Sequence, residues 1–258
     1  MIVANSHQNN HTFVAPVESS QVSRVVSECL QTLRLFIEPG QVTQLIALDV
    51  TEPGLRVPQC VGGYFDYDHL DLMAREAADL SGSTSAVYFT LNPLMPEALA
   101  RCQNRIQRLR PNQAASDRDV QQRRWLMIDI DPSRLAGISA TDSEKASAFE
   151  LLEQIQVYLC SLGFGEPIIA DSGNGYHLYY RIDLPTGDTL PHRILQALST
   201  QFSTSHVTID TSVASAAQLT KVFGTLAAKG DSTDERPHRF SRIMSIPTAA
   251  SRTPRGIL

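Results

Sequence analysis

Trp125-Leu126-Met127-Ile128-Asp129-Ile130-Asp131-Pro132 is the stretch on which the reading of this chain turns. Five of its first six residues are apolar, as in a strand buried on both faces, yet it ends in two carboxylates two positions apart. Strand side chains alternate, so Asp129 and Asp131 point to the same face with Cα atoms roughly 6.6 Å apart, at about 3.3 Å per residue. Two like charges at the end of a buried strand repel unless something positive lies between them. Aspartate oxygens suit Mg²⁺ or Mn²⁺, and a pair of such ions serves phosphoryl transfer. A short Asp-x-Asp also fits a solvated turn led by Pro132, because turns favour Asp. Further on, Val207-Thr208-Ile209-Asp210 is a second apolar strand ending in a carboxylate, which makes Asp210 a candidate third ligand.

The next informative segment is Asp171-Ser172-Gly173-Asn174-Gly175-Tyr176-His177-Leu178-Tyr179-Tyr180. It joins two strand-like runs, with Asn174-Gly175 expected at the hairpin turn. Glycines let backbone approach a ligand closely. The exposed amides of Gly173, Asn174 and Gly175, the Ser172 hydroxyl and His177 together could receive a triphosphate. The third glycine of a dinucleotide fingerprint is missing and the turn leads into a strand; a Walker A loop is absent from the whole chain. An ordinary hairpin with a hydrogen-bonded histidine fits the same residues. On the second strand His177, Tyr179 and Arg181 share one face, and Leu178, Tyr180 and Ile182 the other.

Outward from these segments the chain has an ordinary globular composition: 258 residues, 42% hydrophobic and 19% charged. This excludes collagen-like, coiled-coil and wholly disordered classes. The length suits one catalytic unit of two lobes. Residues 1–17, with polar Asn5–His11, read as a mobile tail, and the His7/His11 spacing as a frayed terminus rather than a metal site. A helix is expected from Ser20 to Phe36, stopped by Glu38-Pro39-Gly40, then a strand over Gln44–Val50. Helices are expected at Asp68–Leu80 and Pro96–Leu109, with a strand at Ala86–Leu91 between them. Next come a helix over Ser143–Leu162 with a Thr141/Glu144 capping box and a Gly163 stop, strands at Pro167–Ala170 and Gly175–Asp183, a helix at Pro191–Phe202, a strand at His206–Asp210 and a last helix over Val213–Val222. Cys29, Cys60, Cys102 and Cys160 show no C-x-x-C pairing, so neither a disulfide framework nor a zinc ribbon is encoded. With no apolar run long enough to cross a bilayer and no leader at the amino terminus, a cytoplasmic protein without membrane partners is expected.

In this order, an apolar strand ending in Asp-x-Asp, a serine–glycine turn ending in histidine and a later strand ending in Asp resemble the three motifs of the archaeo-eukaryotic primase superfamily. The likeness is greatest to the bifunctional primase–polymerase domains of plasmids, phages and other mobile elements. Arg123-Arg124-Trp125 leading into the carboxylate strand supports it, as does Asp210-Thr211-Ser212 running on to Lys221, Gly224-Thr225 and Lys229-Gly230. The resemblance spans about Phe36 to His238. It implies an α/β (α+β) fold, in which a catalytic sheet like an RNA-recognition motif, about residues 121–250, packs with an amino-terminal α/β lobe, about residues 18–120. It further implies that Asp129, Asp131 and Asp210 bind catalytic Mg²⁺ or Mn²⁺. Ser172, Gly173, Asn174, Gly175 and His177, with Lys221 and Lys229, would take the nucleoside triphosphate, and Arg123, Arg124 and Arg239 would contact nucleic acid. Asn92 and Tyr64-Phe65 look like nucleotide-side elements of the first lobe. Where the usual pattern has an aromatic residue before the lysine, this chain has Thr220.

The implied function is a DNA primase/polymerase, a nucleotidyltransferase that makes or extends primers on single-stranded DNA from ribo- or deoxyribonucleoside triphosphates, in replication of a mobile element or in repair, with a helicase domain or partner protein. A metal-dependent nuclease or topoisomerase–primase-type domain is the competing enzyme reading, and a non-catalytic replication-initiation module the competing binding reading. The net charge of −5 argues against coating nucleic acid through bulk positive charge, but it is unevenly spread. Residues 101–126 carry +5 and residues 221–255 carry +4. Those two segments fit a narrow groove that tracks a phosphate backbone, or simply solvated surface, with Arg101, Arg105 and Arg108 on one helical face.

Overall fold

The computed structural model describes residues 17–50, 58–110, 112–248 and 251–258. The tail expected at residues 1–17 lies outside them, His7 and His11 included, except Val17, which opens the first helix. The elements are α1 (Val17–Phe36), β1 (Val42–Val50), β2 (Gln59–Asp66), α2 (Leu70–Leu80), β3 (Val87–Thr90), β4 (Gln107–Arg108), β5 (Arg123–Pro132), α3 (Asp142–Ser161), β6 (Ile168–Asp171), β7 (Tyr176–Leu184), α4 (Leu190–Phe202), β8 (Val207–Ile209), β9 (Leu219–Lys221), β10 (Leu226–Ala227), β11 (Arg239–Phe240) and β12 (Arg242–Ser245). One five-stranded sheet runs β4-β2-β1-β3-β9 and a second β12-β6-β7-β5-β8, while β10 and β11 form a short ribbon. The strand pairings are antiparallel, giving a mixed α+β fold.

The two sheets share one core. Phe36, at the end of α1, stacks its ring edgewise on Trp125 (5.1 Å) and Tyr179 (4.9 Å) of the second sheet and packs on Phe89 (5.8 Å) of the first. Cys29 and Leu33, at helical spacing on the same face, are fully buried. On the second sheet α3 lays down Ala148, Leu151, Leu152, Ile155 and Leu159. Both of its ends form as their residues dictate. Thr141 Oγ1 accepts from Glu144 N (3.1 Å) and Glu144 returns a carboxylate to Thr141 N (2.9 Å). At the other end Gly163 takes φ +90°, and the bonds from Gly163 N to Cys160 O and Phe164 N to Leu159 O make a Schellman cap. Leu162, the last residue of the expected helix, sits at the cap and is exposed.

Three readings are corrected. Pro96–Leu109 is not a helix: a 3₁₀ turn over Pro96–Arg101 gives way to extended chain that pairs as β4 with β2, so Arg101, Arg105 and Arg108 form no helical face. Strand β2 itself escaped notice because Gly62-Gly63 interrupts its pattern. Those glycines are required by crossing chains, since a Cβ on Gly63 would lie 1.7 Å from the Arg105 carbonyl and one on Gly62 2.4 Å from that of Leu45. The third is Val213–Val222, which is a short turn (Thr211–Ala214) followed by β9. Asp117 Oδ1 accepts from Ala217 N (2.8 Å) and Ser215 Oγ (2.5 Å), and Asn92 Nδ2 donates to Ala216 O (2.9 Å), which draws the chain out of helical conformation. It then pairs Lys221 with Tyr88, Thr220 with Phe89 and Leu219 with Thr90 on the edge of the first sheet.

Candidate functional site

Strand β5 lies at the centre of the site, flanked by β7 and β8. Asp129 stands opposite His177 in register, and Ile130 opposite both Tyr176 and Ile209. Asp210 follows directly on β8, its amide donating to the Asp129 carbonyl (3.0 Å). The three carboxylates enter one cleft between the sheets, about 170 Å³ in volume, together with Ser172, Asn174, His177, Lys221 and Lys229. Tyr88, Gln218 and Thr220, from the first sheet's side, complete its wall.

Asp129 and Asp131 point to the same face and part electrostatically. For Asp129, burial works to raise the carboxyl, but His177, Lys229 and Lys221 outweigh it and hold the group below the usual range. Asp131 is pushed up, by burial and then by the charge of Asp129. The Asp129 Oδ1 atom is buried without a hydrogen bond: His177 Nε2 lies 3.3 Å away, in ion-pair range only. An orphaned carboxylate oxygen beside a second carboxylate fits a divalent cation. Asp210 is less committed, since its Oδ1 accepts from Ser212 N (2.8 Å) and caps the following turn. Among the described residues no group of three or more His, Cys, Asp and Glu side chains is arranged to hold a metal ion.

The turn between β6 and β7 is centred one residue earlier than expected. Gly173-Asn174 occupies its middle, with Ser172 N donating to Gly175 O (3.0 Å), and Gly173 at φ +90° takes the position that a type II′ turn reserves for glycine. Gly175 serves another end: a Cβ there would lie 2.2 Å from Asp131 Oδ1 and 2.4 Å from Ile130 O. Ser172 Oγ accepts from Gly175 N (2.9 Å), leaving its hydroxyl proton to donate. Asn174 Oδ1 accepts from Ala140 N (2.8 Å), while its Nδ2 is buried without a partner. From below, Lys145 Nζ (2.6 Å) and Gly173 N (2.8 Å) both donate to Asp171 Oδ1, a buried ion pair that holds the turn to α3. Lys145 was not singled out in the sequence, although it stands one residue past the capping box.

Lys221 is buried with its ammonium 5.4 Å from the centre of the Tyr88 ring. Burial, then the charge of Lys229, push it down to about 8. His177 bonds Tyr179 through Nδ1 (2.7 Å), and Tyr179 OH in turn lies 2.5 Å from Thr220 Oγ1. Thr220, where an aromatic residue was the pattern, therefore faces inward to Tyr179 by its hydroxyl.

Other expected residues fall elsewhere. Arg123 is buried and donates to the carbonyls of Thr186 (2.9 Å) and Ala214 (2.8 Å); Arg124 pairs with Asp183 (3.1 Å); Arg239 pairs with Asp142 (2.6 Å) and donates to Ala140 O (2.7 Å). None of the three lines the cleft. Asn92 accepts from the amides of Arg124 and Trp125, brackets the start of β5 and does not line the cleft. Tyr64 and Phe65 are core residues. No helix among the described residues is long and apolar enough to cross a membrane.

No protein-family model matches this chain, and no curated protein does. Among solved structures, the crystal structure of primase RepB' matches with a TM-score of 0.51 at 10% sequence identity, covering 91% of this chain and 60% of that one. The likeness extends over most of this chain, and the chain has a primase fold.

Proposed function

We propose that the chain is a template-directed nucleotidyltransferase, a primase/polymerase that joins nucleoside triphosphates on single-stranded DNA. The observation that carries this reading is the convergence, on one cleft of a primase fold, of Asp129 and Asp131 with two lysines and a turn that presents the buried, unpartnered Asn174 Nδ2. A triphosphate brings negative charge that Lys221 and Lys229 offset, while Ser172 Oγ, Asn174 Nδ2 and His177 supply donors to its oxygens. Asp129, held ionised, and Asp131 would carry a Mg²⁺ or Mn²⁺ ion, with Asp210 completing the set once it leaves Ser212 N. Such an ion lowers the pKa of a 3′-hydroxyl and offsets charge on the leaving pyrophosphate. The chain's own groups orient the triphosphate. Work beside a helicase partner, on a mobile element or in repair, belongs to this proposal as its biological setting.

The test is incubation of the protein with circular single-stranded DNA, Mn²⁺ and labelled nucleotide, each nucleotide pool supplied separately. Incorporation of label is expected, and it is expected to fall by at least about a hundredfold in Asp129→Asn with the fold retained. Shortening of the template without incorporation would turn the assignment to a nuclease; binding without either would turn it to a non-catalytic module.

A further inference from the structure

Four polar groups stand in line from the carboxylate strand to the far wall of the cleft. Asp129 Oδ1 faces His177 Nε2 at 3.3 Å; His177 Nδ1 is 2.7 Å from Tyr179 OH; Tyr179 OH is 2.5 Å from Thr220 Oγ1. His177, Tyr179 and Thr220 are all buried, and the Phe223 ring closes on His177 at 6.0 Å and on Tyr179 at 6.2 Å. In such surroundings each hydroxyl proton must be placed, because an unpaired buried donor is costly.

The direction of the chain follows from its ends. A neutral imidazole has one N–H and one lone pair. If Nδ1 carried the proton, the Nε2 lone pair would face the lone pairs of Asp129 Oδ1 at 3.3 Å, acceptor against acceptor. With the proton on Nε2, the N–H faces Asp129 and the cleft, and Nδ1 accepts from the Tyr179 hydroxyl. That hydroxyl has then spent its proton and must accept the next one, which Thr220 Oγ1 supplies. A phenylalanine at 179 or a valine at 220 could not complete the sequence.

We infer that Tyr179 and Thr220 are positioning residues which fix His177 as the Nε2–H tautomer, so that its ring presents a donor, never a lone pair, to an anionic oxygen in the cleft. The inference rests on the nucleotide reading of that cleft for its use, though not for its geometry. It also accounts for a hydroxyl residue at 220: the β9 strand of the first sheet reaches across to set the proton of a histidine in the second.

The test separates the two. Histidine ring nitrogens, labelled with ¹⁵N and assigned by difference against His177→Asn, report the tautomer in the metal-free full chain at a pH where the ring is neutral. The wild type is expected to show a protonated Nε2 and a lone pair on Nδ1. Tyr179→Phe and Thr220→Val are expected to shift His177 toward a mixture of tautomers, and Thr220→Ser to restore the wild-type pattern, each in a variant whose cooperative unfolding shows it folded. In the nucleotide assay the first two variants are expected to raise KM for triphosphate roughly tenfold, the scale of one weakened charge-assisted hydrogen bond, with kcat less affected. A wild-type ring protonated on Nδ1, or an unchanged tautomer in folded Tyr179→Phe, overturns the inference. If the tautomer behaves as stated but the wild type incorporates no nucleotide, the proposed function fails and the positioning chain stands.

Discussion

Single atoms decide the geometry of the cleft at Gly175. Its φ is ordinary, so conformational freedom is not its purpose; the turn lies so near β5 that a methyl group would overlap Asp131 Oδ1 and the Ile130 carbonyl. Backbone cannot yield as a flexible side chain can. Gly175→Ala is expected to cost about 2–3 kcal/mol in denaturant unfolding, at the upper end of overpacking effects, and to displace Asp131 so that nucleotide incorporation falls further than stability alone would require. An alanine variant with wild-type stability and activity would show that the turn stands off from β5 in solution. At this scale the sequence was legible in part. Asp129, Asp131, Asp210, Ser172, Asn174 and His177 reach one cleft from the strands and turn their patterns suggested, while Lys229, and Lys221 from a stretch that reads as helix, join them there. The arginines at 123, 124 and 239 could not be judged the same way, because a guanidinium bonded to internal carbonyls or paired with an aspartate looks, in sequence, like one awaiting a phosphate.

Elements with local signals formed where expected, and elements made by distant partners did not. Helix α3 carries its own caps, and β5 its own apolar run; β4 and β9 exist only because β2 and β3 offer them edges. The same dependence on distant partners governs the connection from β4 to β5. There Arg101 donates to Asp119 Oδ1 (2.5 Å), and Asp119 closes a capping box with Ser116. The Arg101 hydrogen bond, against a smaller opposing effect of burial and helped by Ser116, holds the Asp119 carboxyl down at about 2. A carboxyl depressed in the folded state stabilises it fully above its ordinary value of 3.8 and ceases to do so as pH falls through the folded value. Asp119→Asn is accordingly expected to be less stable than the wild type at pH 7, with the gap closing between about pH 4 and pH 2. Urea midpoints for both proteins across that interval measure it; a gap independent of pH would assign the loss to the capping geometry alone.

The molecule as a whole is held together through α1. Phe36 touches residues of both sheets, and Trp125, the single tryptophan, lies against it. Phe36→Ala is expected to cost about 3–5 kcal/mol, as large-to-small changes in a packed core do. Tryptophan fluorescence and far-UV circular dichroism are expected to report one coincident transition at the lowered midpoint; separated transitions would mean that the sheets unfold independently. The crossing of β9 into the first sheet has a practical corollary for anyone dividing the chain. A fragment that stops near residue 120 keeps Val87–Thr90 but loses the strand that covers their outer edge, so their amides and carbonyls are left as a template for other copies. Such a fragment should accumulate as insoluble material rather than as a miniature domain, and soluble expression will follow only from cuts that leave residues 219–221 in place.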